Sequence, residues 1–236
     1  MGYILRHTNI RIQAERAWLD ALLSHAPDVR GLIIIAAPHI GSLNESRENI
    51  GAQRLREAGF GTLLVSMLTP YEEARDPDVR YDVSLLSHRL QAILTWIDQQ
   101  PQLSGLPVGL LVIGTAAAAA VRLIVREPGR IAALCIRSGR ADLAGADPLR
   151  RLRAPTMLQW PSRETELRRP NQQVFALLAE PKTWLEIPLA STSLIEPGAL
   201  EASSQASRDW FLQHMPPAPP PDSSNESDER NLPDAP

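Results

Sequence analysis

Short apolar runs alternate with longer segments of helical periodicity along most of the chain. The runs GLIII, GTLLV and LPVGLLVIG are rich in branched residues and bounded by Gly or Pro, a pattern typical of strands buried on both faces. Between such runs, apolar residues recur three or four positions apart, as at Leu86, Leu90, Ile93 and Ile97, and this spacing predicts amphipathic helices. The alternation of strand and helix indicates a mostly parallel sheet covered by helices.

These periodicities place each element on the sequence. Alternation at Ile10 and Ile12 predicts two antiparallel strands within residues 7–23. Further strands are predicted at residues 32–35, 61–68, 106–114, 131–136, 155–160 and 183–187, and helices at residues 49–58, 86–97, 116–125, 170–179 and 197–215. The charged stretch at residues 69–80 is expected to be a loop. We therefore predict a doubly wound α/β domain with helices on both faces of the sheet.

Composition excludes several classes of protein. The 236 residues carry a net charge of −3, so bulk charge does not favour nucleic-acid binding. The densest basic group, Arg150, Arg151 and Arg153, is short and is expected to be a solvated patch. No apolar stretch reaches the roughly 18–20 residues that span a bilayer, and the charged N-terminus does not resemble a signal peptide. We expect a cytoplasmic protein without membrane contact.

The C-terminal segment differs from the rest of the chain. Residues 216–236 are rich in Pro, Ser and acidic side chains and have almost no apolar ones. Such a segment cannot bury enough surface to offset the entropy lost on ordering. We predict a folded domain at residues 1–215 and a disordered tail at residues 216–236, which is either a passive solubilising segment or a partner-binding one.

The sequence gives no indication of a metal site or a cofactor. It contains no H-E-x-x-H, no C-x-x-C, no Asp-rich loop and no Gly-rich phosphate loop. Cys135 is the single cysteine, which excludes an intramolecular disulfide and a cysteine-rich zinc site. It lies inside a predicted strand and is expected to be inert packing.

The turn after residues 106–114 is the sharpest candidate for chemistry, because ligands of open α/β sheets bind beyond the carboxyl ends of the strands. It reads Gly114-Thr115-Ala116-Ala117-Ala118 and continues directly into a predicted helix. A strand, a tight turn of small residues and an immediate helix form the context of a nucleophile elbow. The central residue is expected to be Ala116, which has no nucleophilic atom.

Segments across residues 5–215 resemble, in order and spacing, the dienelactone-hydrolase-like branch of the α/β-hydrolase superfamily. Members typically have Gly-x-Ser-x-Gly at the elbow, an Asp after the seventh strand and a His before the last helix. The resemblance implies an α/β-hydrolase fold and hydrolase chemistry. The segments that carry it are GLIIIAAPHIGS, GTLLVSMLTPYEE, YDVSLLSHRLQAILTWI, LPVGLLVIGTAAAAA, IAALCIRSGRADLAG, LRAPTMLQW and ASTSLIEPGALEASSQASRDWFLQHM.

Residue by residue, the resemblance implies a degenerate catalytic triad. The serine position corresponds to Ala116 and the second elbow glycine to Ala118. The acid position falls at Glu164, and Glu can replace Asp there. The histidine position corresponds to Ser193. The family's oxyanion loop corresponds to residues 38–42.

The loss of the histidine also follows from the residues themselves. The five histidines are His7, His25, His39, His88 and His214. In this fold the triad follows the chain order nucleophile, acid, histidine, and only His214 follows Glu164. It ends the last predicted helix, far from the carboxyl ends of the strands. A hydroxyl nucleophile is weak without an adjacent base, so the acyl-enzyme route is not expected.

Several residues near the predicted strand ends are candidate substitutes for the missing triad groups. Thr115 lies one residue before the expected centre of the elbow, so its side chain should point away. Glu164 and Glu166 are expected to be a solvated pair, and Asp142 is expected to pair with a neighbouring arginine. The predicted pocket-lining residues are His39, Gly41, Thr115, Ala117, Arg137 and Arg140.

Three functions are compatible with these observations. The first is a non-catalytic α/β-hydrolase-fold protein that binds a small ligand or a protein partner in the vacated pocket, as a monomer or a homodimer. The second is an active ester or lactone hydrolase that uses displaced residues, such as Thr115 with His39 or Glu164 as the base. The third is an interaction scaffold that acts through the tail.

Overall fold

The computed structural model describes residues 5–216, which form an α/β domain around one eight-stranded sheet. The strands are β1 (Arg6–Ala14), β2 (Ala17–His25), β3 (Leu32–Ala37), β4 (Gly61–Ser66), β5 (Val108–Ile113), β6 (Ala133–Arg137), β7 (Thr156–Pro161) and β8 (Lys182–Ile187). They lie in the order β1-β2-β4-β3-β5-β6-β7-β8. β1 and β2 are antiparallel, β2 pairs antiparallel with β4, and all remaining pairs are parallel.

Helices cover both faces of this sheet. Period-two alternation sends neighbouring strand residues to opposite faces, so Ile34 and Leu110 pack on one side while Ile33 and Leu111 pack on the other. The helices are α1 (Arg47–Glu57), α2 (Pro70–Arg75), α3 (Val83–Asp98), α4 (Ala116–Arg126), α5 (Ala146–Arg151), α6 (Arg168–Leu177) and α7 (Ala199–His214). The first side is covered by α3, α4, α5 and α6, and the second by α1 and α7.

The predicted fold class is therefore confirmed, although two short helices, α2 and α5, were not predicted. Residues 69–80 were expected to form a loop, but they contain α2 and a short 3-10 turn at Pro77–Tyr81. A capping box starts α2, because the Thr69 hydroxyl accepts from the Glu72 amide while the Glu72 carboxylate accepts from the Thr69 amide. Pro70 supplies the first helical residue at no hydrogen-bond cost.

A buried ion pair fixes α2 to the domain. The Arg89 guanidinium is 3% exposed and donates to the Met67 carbonyl at 2.7 Å and to Glu72 Oε2 at 2.9 Å. These charge-assisted hydrogen bonds from Arg89, followed by those from Thr69, lower the pKa of Glu72 from 4.5 to about 2. The position of α2 matters for function because it lies next to the carboxyl ends of the strands.

This lowered pKa predicts part of the acid sensitivity of the fold. A carboxylate with a depressed folded-state pKa stabilises the protein fully above about pH 4.5, and that stabilisation is lost as the pH falls towards about 2. We expect the free energy of unfolding to fall across that window, and to fall less steeply in Glu72→Gln. Urea unfolding at several pH values measures this dependence. Glu57→Gln, which removes an exposed carboxylate, is the matched control and should keep the wild-type slope.

Two further predictions concern the C-terminal tail and membrane-spanning helices. The predicted tail lies outside the described residues except for Pro216, so its disorder stays a prediction. Across residues 5–216, no helix is both long and apolar enough to cross a membrane.

Candidate functional site

The candidate site lies at the carboxyl edge of the parallel strands. There, the loop after β3 begins at Pro38, the turn after β5 is Gly114, and the loop after β6 begins at Ser138. In open α/β sheets this edge is where ligands bind. The candidate residues lie on these loops and on the neighbouring loops that follow β7 and β8.

The strand-to-helix turn is centred on Gly114. Its φ is +61°, whereas Thr115 has a φ of −73° and α4 starts at Ala116. Ala116 and Ala117 are both 0% exposed inside α4, so neither lines an accessible pocket. The strained position of an elbow is the one with positive φ, and here that residue is Gly114, two positions before the expected Ala116.

Gly114 leaves open the space that a nucleophile would occupy. It is partly exposed, and a Cβ built on it would meet only Pro38, at 3.8 Å from Cδ and 4.0 Å from Cγ. Those are ordinary van der Waals contacts, so a small side chain fits beside the β3 loop. The residue supplies no side-chain atom, and therefore no attacking oxygen or sulfur.

Thr115 does not replace the missing nucleophile. Its side chain is buried, with the residue 5% exposed, and its hydroxyl donates to the Arg80 carbonyl. The hydroxyl therefore binds the chain segment between α2 and α3 instead of facing solvent. This agrees with the expectation that Thr115 points away from the site.

His39 is the one histidine of residues 5–216 placed on the loop after β3, and it is paired with a carboxylate. Its Nδ1 lies 3.0 Å from Glu73 Oε2, and the other oxygen of Glu73 lies 3.7 Å from Arg80 Nη2. The imidazole is about half exposed while Glu73 is mostly buried. A carboxylate at this distance fixes the orientation of the ring. Glu73 was not among the predicted site residues, because it lies on α2, which was expected to be loop.

The backbone of the loop after β3 is hydrogen-bonded to the end of β4. The Ile40 amide donates to Ser66 Oγ at 2.9 Å, and the same hydroxyl donates back to the Ile40 carbonyl at 2.9 Å. An oxyanion hole needs preorganised amides that face the reacting atom, and this amide already has a partner. Gly41 follows and is exposed.

The loops at the acid and histidine positions are joined by a different pair. Glu164 Oε1 accepts from the amides of Glu166 and Leu167 at 3.2 and 3.5 Å, so it supports the start of α6. The contact between the two loops comes from Arg163, whose Nη1 lies 3.1 Å from Glu196 Oε1. Ser193 is exposed, and no side-chain hydrogen bond of residues 5–216 involves it. Within the described residues, therefore, no carboxylate–histidine pair links these two loops.

His214 lies at the opposite edge of the sheet. It is the last residue of α7, whose 16 residues span about 24 Å at 1.5 Å per residue. Its ring packs on Trp210 at 4.0 Å between centroids. The next residue, Met215, lies within 3.1 Å of a Cβ built on Gly31, just before β3 begins. The expectation that His214 is far from the candidate site is met.

The end of β6 places its two arginines in different surroundings. Arg137 is buried beneath α1, with its side chain 8% exposed, and its Nη2 lies 2.7 Å from Glu48 Oε1. Burial lowers its pKa and the Glu48 carboxylate opposes that shift. Arg140 forms a bidentate pair with Asp142, with both contacts at 2.9 Å, as expected. Arg137 therefore supports α1 instead of lining an open pocket.

The remaining candidate groups carry little chemistry. Cys135 is wholly buried, and burial raises the pKa of its thiol to about 12, so no thiolate forms near neutral pH. Among residues 5–216, no group of three or more His, Cys, Asp or Glu side chains could hold a metal ion.

The fold at this site is that of the α/β-hydrolases. The dienelactone hydrolase of Anabaena variabilis superposes with a TM-score of 0.82 and 28% identity, over 89% of this chain and 99% of that chain. Est1E from Butyrivibrio proteoclasticus superposes with a TM-score of 0.72 at 12% identity, over 88% of this chain and 98% of that chain. The chain therefore has the α/β-hydrolase fold, and the likeness to the Anabaena enzyme supports the dienelactone-hydrolase-like branch of that superfamily.

Two curated relatives carry a different name. Proteins from two strains of Mycobacterium tuberculosis, each called a "Putative phosphoribosyl transferase", are 32% identical to this chain over 211 residues. The match covers 89% of this chain but 47% of each relative, so the chain spans about half the length of these proteins. No family model matches the chain.

Proposed function

We propose that the chain is a non-catalytic α/β-hydrolase-fold protein that binds a small molecule or a protein partner at the carboxyl edge of its sheet. The observation that carries the proposal is Gly114. It occupies the tight turn between β5 and α4, with φ +61°, where a hydrolase of this fold holds its nucleophile. A glycine offers that position no reactive atom.

The surrounding groups support the same proposal. Thr115 donates its hydroxyl to the Arg80 carbonyl, and the Ile40 amide donates to Ser66. Glu164 accepts from loop amides, and the histidine position holds Ser193. Since triad residues act as a unit, losing the nucleophile and the base together removes the acyl-enzyme route. Among the polar groups left at this edge, the half-exposed imidazole of His39 remains open to a ligand.

The transferase name of the relatives fits a two-part protein. The region that they share with this chain corresponds in extent to a complete dienelactone hydrolase chain. We therefore propose that this chain corresponds to a hydrolase-fold half of such proteins. Any phosphoribosyl transfer by the relatives would then belong to the rest of their length.

A second candidate function is hydrolysis by a water molecule that His39 activates. The observation in its favour is the 3.0 Å contact between His39 Nδ1 and Glu73, since an imidazole oriented by a carboxylate is the usual general base. Turnover of an ester or lactone that is abolished in His39→Gln, without any covalent labelling of the protein, would favour this candidate over the first.

The first proposal predicts that the wild-type protein is inert towards serine-hydrolase probes. We expect no labelling by a fluorophosphonate and no turnover of short-chain esters or lactones above the rate without protein. Gly114→Ser combined with Ser193→His should introduce fluorophosphonate labelling and at least about 100-fold more ester hydrolysis than wild type, because it restores a nucleophile and a base together.

The matched control is Ala116→Ser combined with Ser193→His. Ala116 is wholly buried in α4, so this variant should stay as unreactive as wild type. Labelling of the wild-type protein, or turnover that follows it through purification, contradicts the proposal. Labelling of the Ala116 variant and not of the Gly114 variant contradicts the assignment of the turn.

A further inference from the structure

A groove between α3, α4 and α5 gathers basic and hydroxyl side chains away from the carboxyl edge of the sheet. Its volume is about 410 Å³. The groove includes Arg126, the last residue of α4, whereas Gly114 lies just before the N-terminus of the same helix. The 11 residues of α4 span about 16 Å, so the groove is separate from the candidate site. Its polar lining consists of Ser84, Ser87, His88, Arg122, Arg126 and Arg151.

The positive charge of this groove is only partly balanced. Arg151 lies 3.5 Å from Asp147 and His88 lies 3.2 Å from Glu15. Among residues 5–216, no carboxylate lies within ion-pair distance of Arg122 or Arg126, and no acidic side chain is among those lining the groove. Two guanidinium groups therefore face the same space without a counter-ion from the described protein.

Three hydrogen bonds hold these two guanidinium groups in place. Arg122 donates from Nε to the Ala144 carbonyl at 3.4 Å and from Nη2 to the Leu143 carbonyl at 3.3 Å. Arg126 Nη2 donates to Ser87 Oγ at 3.4 Å, and Ser87 is 3% exposed. A guanidinium that is already restrained loses less conformational entropy when it binds an anion.

We propose that this groove binds the phosphate group of a small organic phosphate. Guanidinium groups and hydroxyls are the donors that recognise phosphate oxygens, and Arg does so with two parallel hydrogen bonds. The groove is also lined by Val125, Ala144 and Pro148. Its volume falls within the range of small-molecule sites and exceeds what a lone phosphate ion requires. These apolar residues therefore contact the organic part of the ligand.

Calorimetric titration of the full chain tests this proposal, with glycerol 3-phosphate and inorganic phosphate as probes and glycerol as the uncharged comparison, all at constant low ionic strength. We expect saturable binding of glycerol 3-phosphate, at least as tight as that of inorganic phosphate, and no binding of glycerol. Arg126→Gln and Arg122→Gln should each weaken glycerol 3-phosphate binding about tenfold, because each removes a charge-assisted contact.

Arg208→Gln is the matched control, because Arg208 is a partly exposed arginine on α7, on the other face of the sheet. It should leave the affinity unchanged. Thermal unfolding of each variant separates lost binding from lost folding, and Arg126→Gln, at an exposed position, should keep the wild-type Tm. Absence of saturable binding, binding of inorganic phosphate alone, or equal weakening in Arg208→Gln would each overturn the proposal.

Discussion

Glu48→Gln should lower the free energy of unfolding by about 3 kcal/mol, because it leaves a buried guanidinium without its counter-charge. The Arg137 side chain is 8% exposed and its Nη2 lies 2.7 Å from Glu48 Oε1. Its Nε is buried and has no hydrogen-bond partner, so the lost carboxylate has no substitute among the described groups. For a chain of this length, 3 kcal/mol corresponds to a fall in Tm of about 6–12 °C, which thermal and urea unfolding both measure.

Two further variants make this result specific. Glu57→Gln removes a carboxylate from the same helix, but Glu57 and its partner Arg54 are both about half exposed, so the change should stay below about 0.5 kcal/mol. Combining Glu48→Gln with Arg137→Met removes both charges and should recover most of the lost stability. If the double variant is as unstable as Glu48→Gln, the unpaired charge is not the cause.

Gly139→Ala should destabilise the protein by about 3 kcal/mol through overpacking. A Cβ at this position would lie 2.2 Å from Ile136 Cγ2 and 2.8 Å from Ala117 Cβ. Neither atom is the end of a flexible side chain, because Ile136 is β-branched and Ala117 is fixed to α4. Relief therefore requires the loop after β6 to move away from α4, whose first turn adjoins the candidate site.

Gly41→Ala is the matched control for this substitution. A Cβ on Gly41 meets nothing within 4 Å, so its effect on the free energy of unfolding should stay within about 0.5 kcal/mol. Urea unfolding of the two variants gives the comparison. Similar unfolding free energies for both would mean that the loop after β6 adapts without strain.

Much of the fold was predictable from hydrophobic periodicity. Strands such as β3 and β5 are short apolar runs, and α3 carries its apolar residues at helical spacing. The position of β4 between β2 and β3 has no counterpart in this periodicity, because strand order depends on long-range packing. The α2 helix was missed although its signal is local: Thr69 and Glu72 form a capping box, which the density of charged residues obscured.

The sequence places the candidate site at the turn after β5 but centres that turn on Ala116, whereas the residue with positive φ is Gly114. In the run from Gly114 to Ala118, every residue is small, so composition cannot locate the strained position. The backbone locates that position, because φ is +61° at Gly114. Gly114 is the one glycine of this run, and glycine's tolerance of positive φ was the sequence signal that could have identified it. The pairs Arg137–Glu48 and His39–Glu73 join residues far apart in the sequence. No periodicity predicts such contacts.

The glycine at this turn also changes how the protein tolerates mutation. A residue with a side chain that is held at a φ near +61° destabilises the fold by about 1–3 kcal/mol through backbone strain. Active hydrolases of this fold carry that strain at the nucleophile. Glycine adopts the same angle without that penalty. The relaxed turn therefore leaves a reserve of free energy, so that substitutions elsewhere that would unfold a strained homologue can persist in this chain.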